Sequence, residues 1–114
     1  MEIKRINPRE WNCNAAVFGD LVYCSGMVAD DKSLDMKGQT AQVLKKIDAV
    51  LAQAGTSKSR ILNATVYMQD ASLKDAMNEA WMAWVDRSDL PTRTAVGAVL
   101  TPGTMVEITV VAAK

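Results

Sequence analysis

The sequence predicts an α+β fold, a two-layer sandwich in which two helices cover one face of a sheet. One apolar stripe repeats at helical spacing over residues 36–54, and a shorter stripe follows Ser72. Residues 61–68 instead alternate between two sets of side chains, as expected for a strand with one buried face. The elements follow in the order strands, helix, strand, helix, strands, which favours packing of both helices on a single sheet face.

The first predicted feature is a β-hairpin formed by residues 15–24. Two short apolar runs flank Gly19 and Asp20, a pair typical of a tight hairpin turn. Cys24 lies at the end of the second run and is predicted to be a small buried apolar side chain rather than a reactive thiol. A disulfide between Cys13 and Cys24 stays open as an alternative, although a reducing cytosol disfavours it.

The clearest predicted element is the helix over residues 36–54. Asp35 is expected to cap its start, and Gly55 is expected to adopt the left-handed conformation after its end. Apolar residues recur at spacings of three and four along this helix, which places them on one face. They are Val43, Leu44, Ile47, Val50, Leu51 and Ala54.

A second helix is predicted to start at Ser72, with Asp75 three residues later in the manner of a capping box. Its apolar stripe includes Trp81 and Trp84, which are separated by about one helical turn. We interpret this tryptophan pair as part of the core or of a subunit contact rather than as a ligand-binding cage. Pro91 then ends the loop that follows the helix.

The C-terminal part of the chain is predicted to form strands over residues 93–100 and 105–112, joined by a turn at residues 101–104. If this turn makes a hairpin, the two strands are antiparallel neighbours. In the register that pairs Leu100 with Met105, Ala98 lies opposite Glu107 and Arg93 lies opposite Ala112. The charges of Arg93 and Glu107 then do not meet within one chain. The residues of this register are Ala98, Leu100, Met105 and Ala112.

Several predicted strands are apolar on both faces, which has a consequence for assembly. Two helices can cover only one face of the sheet, and a strand exposed on its other side should alternate with polar residues. The uncovered face therefore needs a partner, and a second copy of the chain is the simplest one. The segments concerned are residues 21–24, 95–100 and 108–113, apart from Thr109.

Composition excludes several classes of function. The chain has 114 residues, which predicts one domain over residues 1–114. Thirteen basic and thirteen acidic residues give no net charge, so there is no electrostatic reason to bind nucleic acid or an anionic membrane. The absence of histidine excludes Ser-His and Cys-His pairs and His metal ligands. With a charged start and no long apolar run, we expect a cytoplasmic protein.

Arg93 and Glu107 are the candidate chemical groups, because each is the one charged residue of an apolar strand. The planar guanidinium of Arg93 can form two parallel hydrogen bonds to the carboxylate of a substrate. Glu107 can orient or deprotonate a water molecule. The alternative from the residues alone is that Arg93 is a solvated charge and that Glu107 is an edge residue that discourages aggregation.

The same residues carry a resemblance to a known family. Residues 91–97 (PTRTAVG), Leu100 and residues 106–108 (VEI) resemble the C-terminal signature of the Rid/YjgF family, the reactive-intermediate deaminases, in its YoaB-like branch. Residues 23–26 (YCSG) resemble the Ser-Gly segment of this family. The resemblance covers nearly the whole chain in order, and it also includes Gln39, residues 64–67, Asn78 and Trp81.

This resemblance implies a chorismate-mutase-like fold and a homotrimer whose three sheets face inward as a barrel, with substrate clefts between subunits. It also implies an activity, the hydrolysis of short 2-imino or enamine acids to 2-keto acids and ammonia. Because an imine carbon is already electrophilic, that chemistry requires neither a metal nor an organic cofactor.

The resemblance assigns roles to individual residues. Arg93 matches the arginine that binds substrate, Glu107 matches the glutamate that positions the attacking water, and Ser25 matches the serine near the substrate. Asn12 stands where the family has a tyrosine before the first hairpin, and it joins the predicted binding residues. Two further departures are Ala95 in place of a cysteine and Thr109 in place of a second acidic residue.

Two other classes of function stay open at this stage. One is a trimeric binding or regulatory protein that recognises a small carboxylate without turning it over. Arg93 would serve either function, whereas Glu107 has a clearer purpose in the enzyme. The other is a chaperone-like or translation-affecting interaction protein, for which the sequence holds no dedicated feature.

Overall fold

The computed structural model describes all 114 residues and places two α-helices on one face of a mixed sheet. The helices are α1 (Met36–Gln53) and α2 (Lys74–Trp84). The strands are β1 (Ile3–Pro8), β2 (Cys13–Phe18), β3 (Leu21–Cys24), β4 (Met27–Val28), β5 (Ile61–Met68), β6 (Thr92–Gly97) and β7 (Val106–Ala113). The predicted α+β sandwich is confirmed. Neither helix combines the length and apolar character needed to cross a membrane.

The strand order across the sheet is β1-β2-β3-β7-β5-β6, and β4 pairs with β7 beyond the end of β3. Only β5 and β6 are parallel, because the chain returns between them through α2. The predicted hairpin between residues 93–100 and 105–112 is therefore wrong. β5 lies between β6 and β7 in the sheet, and the segment 98–105 crosses β5 to connect these two strands. The pairings of Ala98 with Glu107 and of Arg93 with Ala112 do not form.

The early hairpin and the first helix match their predictions. Phe18 pairs with Leu21 across the turn, in which Gly19 has a φ of 60°. The carboxylate of Asp35 caps α1 by accepting a hydrogen bond from the Gly38 N–H at 2.8 Å. Gly55 follows the helix with a φ of 84°, a conformation that glycine adopts without strain.

The two cysteines are free thiols. Cys24 is buried in the core, as predicted, and burial raises the pKa of its thiol to about 11. The thiol is therefore protonated at neutral pH, which is consistent with a structural rather than a nucleophilic residue. The half-buried Cys13 points its sulfur at the carbonyl of Ala15, 3.4 Å away.

The start of the second helix differs from its prediction. A short 3₁₀ turn at Ala71–Leu73 precedes α2, which begins at Lys74 rather than at Ser72. The carboxylate of Asp70 accepts hydrogen bonds from the Ser72 N–H at 2.9 Å and from the Ser72 hydroxyl at 2.6 Å. Since Asp70 caps this turn, the predicted capping box of Ser72 and Asp75 does not form.

Two strands and one bulge were missed by the sequence pattern. β1 is an edge strand in which only Ile6 is buried, so it lacks a regular apolar alternation. β4 is too short to show any period. In β5 the register shifts between Ile61 and Asn63, which buries Ile61 and leaves Leu62 49% exposed. The alternation of residues 61–68 predicts that Leu62 shares one face with Ala64, Val66 and Met68. This prediction is wrong for Leu62, because only the other three side chains are buried.

The segment 98–105 is held in place by two glutamine side chains. Gln39 of α1 is fully buried, and its Nε2 donates to the carbonyl oxygens of Leu34 at 3.1 Å and Gly103 at 3.0 Å. Its Oε1 accepts from the Met105 N–H at 3.0 Å. Because a buried polar group without partners is costly, this segment is anchored to the helix layer. The exposed Gln69 adds a hydrogen bond from the Leu100 N–H, at 2.6 Å.

Candidate functional site

The face of the sheet opposite the helices contains a hollow of about 410 Å³. It lies at the edge where β5 and β6 end and β7 begins. The anchored segment 98–105 forms one wall, and the outward-facing side chains of β5 and β7 form the floor. The lining residues are Gly26, Tyr67, Ala98, Val99, Leu100, Glu107 and Thr109.

Glu107 is the only carboxylate in this hollow. It is half-buried on β7, between Tyr67 of β5 and Val28 of β4. Its carboxylate occupies the space where a side chain at position 26 would lie, because a Cβ on Gly26 would collide with Glu107 Oε2. The absence of a side chain at Gly26 therefore permits this position of the glutamate.

Arg93 lies on the other face of the sheet. It pairs with the buried Ala64 of β5, and its side chain turns toward α2. The Arg93 Nη1 is 3.8 Å from the sulfur of Met77, and the Cζ is 5.1 Å from the centroid of the Trp81 ring. Partial burial lowers the pKa of this guanidinium from its ordinary value, although arginine stays protonated at any physiological pH.

Neither charge is neutralised within the chain. The structure has two ion pairs, Lys37–Glu79 and Lys46–Asp30, and both lie elsewhere. Arg93 and Glu107 are on opposite faces of the sheet, with β5 between their strands. Their separation is consistent with the sequence analysis, although the strand order that produces it is different.

Ser25 and Asn12 do not line the hollow. The Ser25 hydroxyl donates a hydrogen bond to the carbonyl of Cys13 at 2.5 Å, and the Ser25 N–H donates to the carbonyl of Asn14 at 2.9 Å. Through these two hydrogen bonds Ser25 connects β2 to the short segment between β3 and β4, in which Gly26 is the next residue. Asn12 is exposed in the loop before β2. The structure thus brings Glu107 close to the Ser25–Gly26 segment but brings neither Arg93 nor Asn12 into the same hollow.

Two of the three departures from the family pattern, Ala95 and Thr109, lie on different faces of the sheet. Ala95 is a half-buried residue of β6 that packs against the core on the helix side. Thr109 lines the hollow, and its hydroxyl donates to the carbonyl of Cys24 at 2.7 Å. A threonine here gives the hollow a neutral hydrogen-bonded group, so Glu107 is the only carboxylate among its lining residues.

Tyr67 and Gly26 at the hollow and Trp81 beside Arg93 were not selected as functional residues by the sequence analysis, although each lies in a segment that carries the family resemblance. Tyr67 pairs with Glu107 across β5 and β7, a neighbour relation that becomes visible only when the strand order is known. Gly26 was part of a recognised segment, but its spacing gave no sign of the contact with Glu107. Trp81 was interpreted as core or subunit contact, and its burial agrees with the first of these.

This arrangement is suited to the chemistry of a small polar molecule. The Glu107 carboxylate faces a space large enough for a water molecule and a short substrate, and a carboxylate can accept a proton from water. Arg93 offers a cation on the opposite face, and only its Nη1 donates within the chain, to the Met77 sulfur. No group of three or more Cys, Asp or Glu side chains is arranged to hold a metal ion.

Comparisons with known proteins agree with the fold and the sequence signature. The family described as "Endoribonuclease L-PSP" matches residues 3–114. The chain is 41% identical over 112 residues to a RutC family protein of Haemophilus ducreyi, covering 97% of this chain and 96% of that protein. It is 39% identical over 114 residues to the RutC family protein YoaB of Escherichia coli, with 99% of each chain covered.

A solved structure shows the same fold. The crystal structure of NMB1025, a member of the YjgF protein family from Neisseria meningitidis, superposes with a TM-score of 0.97 at 35% identity. The superposition covers 100% of this chain and 96% of that one. The expected likeness to YjgF proteins and to the YoaB-like branch is therefore confirmed.

Proposed function

The chain belongs to the Endoribonuclease L-PSP family, which includes the RutC and Rid/YjgF proteins, and from this membership we propose that it is a cofactor-independent imine/enamine deaminase. The proposed reaction is the hydrolysis of short 2-imino or enamine acids to 2-keto acids and ammonia, in the cytoplasm. The observation that carries the proposal is the unpaired carboxylate of Glu107 in the hollow on the open sheet face.

The chemistry follows from the groups present. A protonated imine has an electrophilic carbon, so water can add to it directly. Glu107 would hold this water and accept one of its protons as the new carbon–oxygen bond forms. The proton then passes from Glu107 to the nitrogen of the carbinolamine, and the carbon–nitrogen bond breaks. The regenerated Glu107 carboxylate takes the proton of the carbinolamine hydroxyl as the carbonyl of the 2-keto acid forms, and it passes this proton to the departing ammonia. No covalent intermediate with the protein is needed.

Substrate binding would require two subunits. Arg93 is proposed to hold the substrate carboxylate, but it lies on the face of the sheet opposite to Glu107. One substrate molecule can contact both groups if Arg93 of one subunit lies near Glu107 of another. We therefore propose the homotrimer that the resemblance implies, with the open sheet faces turned inward.

Exposed apolar side chains on the open face support this assembly. Phe18 is 48% exposed and Tyr23 is 51% exposed, although both lie on strands of the sheet rather than in loops. Large apolar side chains that are exposed together commonly mark a protein interface. Ile3 of the neighbouring β1 adds a third exposed apolar side chain, because it pairs with Phe18.

The trimer is expected at micromolar concentration, with a mass three times the 12.4 kDa of the chain. Tyr23→Arg should dissociate it, because the interface would have to bury a charge without a partner. Met82→Arg is the matched control, since Met82 is 50% exposed on α2, away from the open face, and should leave the trimer intact. Sedimentation equilibrium measures all three proteins. A stable wild-type monomer would contradict both the trimer and the shared site.

The activity is tested with 2-iminopropanoate and 2-iminobutanoate generated immediately before use. We expect the protein to accelerate the release of ammonia and of the 2-keto acid above the rate in buffer alone. The two products should appear in equal amounts, since each imine yields one of each. Binding of 2-ketobutyrate without any acceleration would contradict the deaminase and support the alternative below.

The alternative is a trimeric protein that binds or senses a small carboxylate without catalysis. Two observations favour it: Thr109 stands in place of an acidic residue, and the Ser25 hydroxyl is already engaged by the carbonyl of Cys13. Cleavage of RNA, which the family description names, gains no support from the balanced charge of the chain.

A further inference from the structure

The guanidinium of Arg93 is held by an aromatic ring and a thioether rather than by a carboxylate. Its Cζ lies 5.1 Å from the centroid of Trp81, and its Nη1 is 3.8 Å from the sulfur of Met77. A ring face attracts a cation through its quadrupole and does not use up the N–H donors. A carboxylate partner would occupy two of these donors and neutralise the charge. The contacts of Arg93 therefore orient the guanidinium, and apart from the N–H that Nη1 directs at the Met77 sulfur they leave its donors free.

Trp81 itself has a fixed position. It is 6% exposed in the core, and its ring packs against Trp84 at a centroid distance of 5.5 Å and an interplanar angle of 56°. The Trp84 indole Nε1 donates a hydrogen bond to the Asp48 carboxylate of α1 at 2.9 Å. This chain of contacts connects the two helices to Arg93, so the ring beneath the guanidinium has little freedom to turn.

We propose that Trp81 is the positioning residue that orients Arg93 for binding the carboxylate of the ligand. The inference rests on the proposed role of Arg93, and it assigns a function to a side chain that helical spacing identifies only as core. Trp81 acts through Arg93 and does not itself touch the substrate. Its effect on binding must therefore disappear when Arg93 is removed, which distinguishes it from a general contribution to folding.

The test measures the dissociation constant of 2-ketobutyrate by calorimetry, which requires no turnover. Trp81→Leu should weaken binding roughly three- to thirtyfold, the range expected for loss of a partly desolvated cation–π contact. Trp81→Phe keeps a ring and should weaken it less. In the Arg93→Ala background, Trp81→Leu should cause no further loss, because the two residues act as a unit.

Leu51→Ala is the control for stability. Leu51 is a fully buried residue of α1, and its truncation should lower the melting temperature by leaving a cavity. It should nevertheless leave the dissociation constant of 2-ketobutyrate near the wild-type value. If Leu51→Ala weakens binding as much as Trp81→Leu does, the effect of Trp81 is one of stability alone and the inference is overturned.

The remaining outcomes separate this inference from the proposed function. Equal losses from Trp81→Leu in the presence and absence of Arg93 would overturn the positioning role. If Trp81→Leu binds 2-ketobutyrate as the wild type does while Arg93→Ala binds it weakly, the positioning role of Trp81 is overturned and the proposed binding of the carboxylate by Arg93 is supported. Coupled losses in a protein that releases no ammonia would support the positioning role and contradict only the deaminase. If the wild type does not bind 2-ketobutyrate, both the proposed binding of the carboxylate by Arg93 and the positioning role of Trp81 are overturned.

Discussion

Arg93→Ala is expected to lower kcat/KM for 2-imino acids by about two or more decades. Charge-assisted hydrogen bonds contribute about 1.5–3 kcal/mol each, and a guanidinium can form two of them with one carboxylate. The structure strengthens this expectation, because no carboxylate of the chain pairs with Arg93. Steady-state kinetics with freshly generated 2-iminobutanoate, together with calorimetric binding of 2-ketobutyrate, measure the loss.

Two further variants show whether the loss belongs to this guanidinium. Arg93→Lys should recover only part of the activity, since an ammonium cannot reproduce the planar pair of donors. Arg87→Ala removes an arginine that is exposed after α2 and donates only to the carbonyl of Met82, at 3.3 Å. It should leave kcat/KM unchanged. Normal binding and hydrolysis by Arg93→Ala would show that the carboxylate is held elsewhere.

Glu107→Gln is expected to reduce turnover by at least about tenfold, the low end of the range for general-base assistance. Glutamine has nearly the same size, so it fits beside Gly26, but it cannot accept the proton of the attacking water. Trimer formation and binding of 2-ketobutyrate should stay close to those of the wild type. Single-turnover hydrolysis of the imine measures the chemical step apart from product release.

A matched substitution on α2 controls for the loss of one negative charge. Glu79 is an exposed carboxylate whose one ion pair, with Lys37, spans 3.8 Å, and Glu79→Gln should leave turnover unchanged. If Glu107→Gln also hydrolyses imines at the wild-type rate, Glu107 does not activate the water. Glu107 would then be a hydrogen-bond acceptor at the hollow, as the binding-protein alternative requires.

The sequence was sufficient for the parts of the fold that local patterns encode. The apolar stripe of α1 and the Asp35 cap are properties of consecutive residues, and the structure reproduces both. The alternation of β7 likewise placed Glu107 on the face opposite to Ile108. Such patterns are reliable because helical and strand periods determine which side chains share a face.

The order of strands could not be read from these patterns. A short polar turn at residues 101–104 suggested a hairpin, but the crossover through α2 places β6 beside β5 instead. Local residues do not show which strand a segment will pair with, because that pairing depends on how the helices cover the sheet. The partner of Glu107 is therefore Tyr67 rather than Ala98.

The sequence by itself determined the candidate groups, Arg93 and Glu107, because an isolated charge in an apolar strand is visible without a structure. It also determined the family, through the residues around them. Only the tertiary structure decided that β5 lies between the strands of these two groups, that Gly26 leaves room for the Glu107 carboxylate, and that Trp81 lies beneath Arg93. Each of these relations joins residues distant in the chain, and such contacts are set by packing between elements rather than by the period within one.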